Sequence, residues 1–133
     1  MRKFLIGAVV MAFAFAAPLD AQQAPVQPSP VKRVILQKAD VPGTNLEMIH
    51  ATVEIAPGFK AGRHFHPGVV MAQVVDGEFW FHADGQPEKV FKAGEALTVP
   101  DRAVHNEGAT AKGVKLYAVY VLEKGKPLAS PAP

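Results

Sequence analysis

Apolar and polar residues alternate with period two through the middle of the chain. From Leu46 to Ile55 (LEMIHATVEI), Ile49, Ala51, Val53 and Ile55 share one face, and Met48, His50, Thr52 and Glu54 share the other. That is the pattern of a half-buried β-strand. Pro57-Gly58 ends it. Val31 to Gln37 is apolar, β-branched and free of Gly, and predicts an earlier strand. Val69 to Val75 and Glu78 to His82 flank Asp76-Gly77. This dipeptide predicts a two-residue hairpin, because a type I′ turn needs φ > 0 at both central positions. In that hairpin Val75 faces Glu78, Gln73 faces Trp80, and Ala72 faces Phe81. Ala83-Asp84-Gly85-Gln86 predicts a second turn. Val90 to Lys92, Ala96 to Val99, Ala103 to Glu107 and Val114 to Leu122 complete the strands. No segment carries a sustained 3.6-residue stripe. The expected fold is all-β, a sandwich or barrel of short antiparallel strands.

The ends of the chain read differently. Arg2 and Lys3 precede an apolar run from Phe4 to Ala17, which is short for a membrane span and typical of a signal-peptide core. With a small residue at Ala21, residues 1–21 are expected to be a cleaved signal peptide. The mature protein would then be periplasmic or secreted, with no stable membrane anchor. Residues 22–30 (QQAPVQPSP) read as a Pro-rich linker, 31–123 as the barrel domain, and 124–133 (KGKPLASPAP) as a flexible tail. The formal net charge of +2 includes the leader; removing Arg2, Lys3 and Asp20 leaves about +1. The charges are interspersed, and no basic block suits nucleic acid. With no Cys, the fold rests on its core, or on core plus metal.

Three histidines carry the candidate chemistry. His64 and His66 form a His-x-His pair in GRHFHPG, and His105 lies in VPDRAVHN. On a strand, such a pair puts both imidazoles on one face. A third His from a distant strand then completes a metal site with open positions. Imidazoles accept Zn, Cu, Fe and Ni alike, so one divalent transition metal, Fe, Mn, Ni, Cu or Zn, is expected without a choice among these. There is no nucleophilic Cys, no Ser/His/Asp set in motif context and no phosphate loop, so covalent catalysis has no evident nucleophile.

With these motifs, the chain resembles the cupin superfamily, specifically small single-domain cupins. Gly58, His64, His66 and Gly77 match the first family motif, and Gly94, Pro100, His105 and Asn106 match the second. The resemblance covers most of residues 45–122 and implies a six- to eight-stranded jelly-roll barrel that often forms homodimers. It also implies a carboxylate seven residues before Gly77, a slot that holds Val70. The expected site is therefore three neutral imidazoles, with the ion keeping its full charge locally.

If His64 and His66 face inward, strand parity turns Val70 and Val74 inward too. The hairpin adds Phe79 and Phe81 and turns Trp80 and His82 outward. The expected pocket is three histidines on walls of Val70, Val74, Phe79 and Phe81. Trp80, Gln73 and Val75 are expected to form a dimer face. His50 is expected on the surface, with a role behind the ligands as the alternative. Asn106 reads as a turn or network residue. Two functional classes follow. One is a metal-dependent, dioxygenase-like oxidoreductase acting on a small organic substrate, and the three-His reading rests on resemblance to known three-His cupins. The other is a non-catalytic module that binds a small ligand, its metal structural or absent. A Lewis-acid isomerase or lyase lies between them. The absence of an evident general base within the barrel favours the binding module.

Overall fold

A computed structural model describes residues 27–133. Residues 1–26, which include the expected signal peptide and most of the expected linker, lie outside that range. Among the described residues there are eight β-strands and no helix. They are β1 (Val31–Asp40), β2 (Leu46–Ile55), β3 (His64–Phe65), β4 (Gly68–Ala83), β5 (Lys89–Lys92), β6 (Ala96–Val99), β7 (His105–Glu123) and β8 (Ser130–Pro131). All pairings are antiparallel. This is the expected all-β, jelly-roll class.

Two long strands organise the barrel. β7 pairs with β2 along Val114–Glu123 and with β3 at His105. β4 pairs with both halves of β7: Gly68–Val74 with Leu116–Leu122, and Phe79–Ala83 with His105–Ala109. Between these stretches the register slips, on either side of Asp76-Gly77. β6 joins the first half of β4, and β5 joins the second.

The Asp76-Gly77 hairpin is therefore corrected. The chain does not reverse there; β4 runs straight through as a bulged bend, and Glu78 pairs with Lys92 rather than Val75. Gly77 does adopt φ = +77°, but a positive-φ glycine serves a β-bulge as well as a tight turn. Its partner strand is close enough that a Cβ would sit 2.1 Å from the Gly113 carbonyl oxygen. Likewise, the two segments expected at Ala103–Glu107 and Val114–Leu122 are not separate strands: from His105 onward both lie in β7, while Ala103 and Val104 precede it.

The β2 alternation is as the sequence reads. Ile49, Ala51, Val53 and Ile55 are all at most 5% exposed, and His50 faces away from them. They join Val70, Val74, Phe79, Val99, Leu116, Tyr120 and Leu122 in one core. Trp80 lies outside that core but is covered: Lys60 Nζ stands 3.6 Å from its ring centroid, and its Nε1 donates to Glu88 Oε2 at 3.1 Å. At 9% exposed it is not a bare dimer face.

Residues 124–133, expected as a loose tail, return to the barrel. Ser130 and Pro131 pair with Phe65 and His64, and the Ala132 amide donates to the Arg63 carbonyl at 3.1 Å. β3 would otherwise have a bare edge on this side, and the tail satisfies its backbone groups.

Candidate metal centre

The register brings the histidines together. His64 and His105 are directly opposite across β3 and β7, so their side chains share a face. Their ring centroids are 4.3 Å apart. His66, just past β3, stands 5.1 Å from each of the other two rings. All three are buried, His105 completely.

Each imidazole is oriented by the backbone through Nδ1. His64 donates to the Gly62 carbonyl at 2.8 Å, His105 to the Ala103 carbonyl at 2.8 Å, and His66 to the Leu128 carbonyl at 2.6 Å. Donating from Nδ1 fixes the tautomer that leaves a lone pair on Nε2. In the neutral form the Nε2 lone pairs are then turned to the space the three rings share. Asn106 supports this arrangement from behind: its Oδ1 accepts from the Gly62 amide at 2.9 Å, holding the loop whose carbonyl orients His64. Phe81 stacks on His105 at 5.2 Å between ring centroids.

A carboxylate completes the group, and it is not where the family motif puts it. Glu107 lies two residues after His105 on β7 and so faces the same way. Its oxygens stand 3.7 Å from His64 Nε2 and 3.6 Å from His105 Nε2, which is Coulombic range rather than a hydrogen bond. The expectation of imidazoles alone is corrected accordingly: the carboxylate comes from β7, not from position 70. The signal was present in the sequence. His-x-Glu has the same period-two logic as His-x-His, and an inward His105 implies an inward Glu107.

The electrostatics fit a cation. Burial alone would raise the Glu107 carboxyl, but the His105 and His64 imidazoles more than offset it and hold it at about 2. Glu107 is therefore an anion at neutral pH. Burial pushes the His66 imidazole down, towards the neutral, ligating form. For His64, burial again disfavours charge, but Glu107 and the Gly62 carbonyl outweigh it and raise the value.

The residues fit a divalent transition metal. Ligand atoms of His64, His66, His105 and Glu107 all lie within 4.8 Å of one another. Among the described residues, His105 Nε2 is the one buried side-chain polar atom with no hydrogen-bond partner. Such an atom costs free energy unless something meets it. A cation at the shared focus would satisfy this lone pair.

A cavity of about 270 Å³ opens beside the cluster. Val31, Arg33, Val53, His64, His66 and Glu107 line it on one side, and Ala129, Ser130 and Pro131 of the returning segment on the other. The expected walls differ from these. Val70, Val74 and Phe79 are core residues and, like Phe81, do not line this cavity. Phe81 instead stacks on the His105 ring, while β1 and the C-terminal segment contribute to the lining. His50 is remote, its ring 6.0 Å from Tyr117 on the outer face. His82 packs near Trp80, at 6.3 Å between centroids.

The cupin domain model matches residues 51–121, more than half of the chain. The chain belongs to the cupin family. Its fold also resembles several solved structures. The DMSP lyase DddQ from Ruegeria pomeroyi superposes with a TM-score of 0.66 at 13% identity, over 84% of this cupin and 56% of that chain. The polyketide cyclase RemF from Streptomyces resistomycificus gives 0.62 at 18% identity, over 79% and 72%. KdgF from Halomonas sp. gives 0.57 at 19% identity, over 77% and 86%. This cupin spans about half the length of the lyase chains it matches. No curated protein matches its sequence.

Proposed function

We propose that this cupin is an exported, metal-dependent enzyme acting on a small organic substrate at the His64, His66, His105 and Glu107 cluster. The supporting observation is the buried, unpartnered Nε2 of His105, aimed at the same point as two other imidazoles and a carboxylate beside a cavity. The donor set, nitrogen with one oxygen, suits Fe, Mn, Ni, Cu or Zn. His64, His66, His105 and Glu107 would hold the ion, and the cavity beside them would admit the substrate. Bound there, a redox-active ion would supply electron transfer between substrate and O₂, and any of these ions would polarise a substrate oxygen.

The protein's own part is positional. Three backbone carbonyls hold the rings, Glu107 supplies the negative charge, and the apolar walls Val31, Val53 and Ile55 limit water at the mouth. We propose dioxygenase-like oxidation as the reaction class. The second reading, a Lewis-acid lyase or isomerase, draws support from the lyase and cyclase among the proteins of similar fold. An oxygen electrode separates the two. With the Fe- or Mn-loaded protein and small phenolic and diketone substrates, stoichiometric O₂ uptake supports oxidation, and turnover that persists under argon establishes the second reading. We also propose a homodimer, for which Met71, Tyr117 and Met48 on the outer sheet offer exposed apolar surface. Light scattering after gel filtration tests it, and a monomer mass at micromolar concentration would refute it.

A further inference from the structure

We infer that Arg33 anchors a carboxylate on the small molecule that this cavity takes, an inference that rests on reading the cavity as a small-molecule site. Arg33 on β1 is directly opposite Val53 on β2. Opposed residues share a sheet face, and Val53 is a core residue, so the Arg33 side chain is set on the inner face. Both line the cavity with His64, His66 and Glu107. The guanidinium has one hydrogen bond, Nε to the Tyr120 hydroxyl at 3.3 Å, and lies 5.6 Å from the Tyr120 ring centroid. Tyr120 is itself buried beside His66, with 5.8 Å between ring centroids.

The two arginines of the cavity differ. Arg63 is committed: it pairs with Asp84 through two nitrogens and donates to the Pro133 carbonyl at 2.7 Å. Arg33 makes no ion pair among the described residues. Its terminal N–H groups form a fork matched to a carboxylate, and Tyr120 holds the inner end of that fork. The local charges agree. Arg63 and Asp84 cancel, so Arg33 and a divalent ion against Glu107 leave the site positive, favouring an anion. The volume, about 270 Å³, admits a small organic molecule.

The test uses matched probes on the mature protein, metal-loaded and metal-free: benzoate, its isosteric amide benzamide, and phenyl phosphate, titrated by amide NMR. Benzoate is expected to bind at least about tenfold more tightly than benzamide, shifting amides around Arg33 and Ser130. Arg33→Gln should remove about 10- to 100-fold of benzoate affinity and none of benzamide's, as for a lost charge-assisted bond. Arg33→Lys should fall between. Lys32→Gln, the same charge change on the neighbouring residue outside the cavity, should change nothing. Equal binding of benzoate and benzamide would overturn the inference. So would a benzoate preference that survives Arg33→Gln, an equal loss in Lys32→Gln, or Arg33-dependent binding of phenyl phosphate tighter than benzoate. If the protein takes up no metal yet benzoate binding still depends on Arg33, the anchor stands and the metal reading fails.

Discussion

Glu107 shows how one residue changes the chemistry of the site. Three imidazoles alone would leave a divalent ion with its full charge; a carboxylate from β7 lowers it by one. Glu107→Gln keeps shape and removes that charge. It is expected to weaken divalent binding by more than the roughly 10- to 100-fold typical of outer-shell changes, measured by competition with a chelating dye. The same substitution should alter the acid stability of the metal-free protein. A carboxyl depressed to about 2 contributes stability that is present above its ordinary value near 4.5 and lost as pH falls through about 2. The contribution is of order 3 kcal/mol, since each unit is about 1.4 kcal/mol. Metal-free wild type should therefore lose stability between pH 4.5 and 2 more steeply than Glu107→Gln in urea titrations; parallel curves would contradict the assignment. Of these residues, the sequence made His64, His66 and His105 legible through spacing alone. Glu107 is equally legible by parity, whereas the family motif places its carboxylate at position 70, where Val70 is packed in the core.

At the scale of elements, alternation identified β2, because one buried face dictates that pattern, and turn residues identified the turn after Ala83. It failed at Asp76-Gly77, where local chemistry permits both a hairpin and a bulge, and only the long-range pairing with β7 decides. A Cβ at Gly77 would collide with the Gly113 carbonyl, whereas at Gly43, also at positive φ, it would meet nothing within 4 Å. Gly77→Ala is accordingly expected to destabilise by at least about 2 kcal/mol more than Gly43→Ala, read from urea midpoints. The C-terminal segment was illegible for another reason: Pro and Gly content describes local freedom, not a partner. Its Leu128 carbonyl holds His66, and Ala129 to Pro131 wall the cavity. Ending the chain after Pro127 should leave a cooperative β fold by circular dichroism but cost about 10- to 100-fold in metal affinity. Unchanged affinity would show that the strap does not position His66.

For the whole molecule, the fold class followed from short strands, turn spacing and the absence of helical periodicity. The site followed from two distant motifs that β3 and β7 bring opposite each other. The cavity was not readable, because it depends on β1 and the returning segment, neither of which carries a motif. Metal binding should also tie the barrel together. An ion at 100 times its dissociation constant adds about 2.7 kcal/mol, so excess chelator should lower the melting temperature by about 10 °C. The most direct test is elemental analysis of the protein, purified without chelator or affinity-tag metal, beside His105→Ala. The metal-centre account predicts close to one Fe, Mn, Ni, Cu or Zn per chain in the wild type and a small fraction of that in the variant. A folded wild type that holds no metal and takes up none when supplied, or a variant that keeps full occupancy, would contradict it.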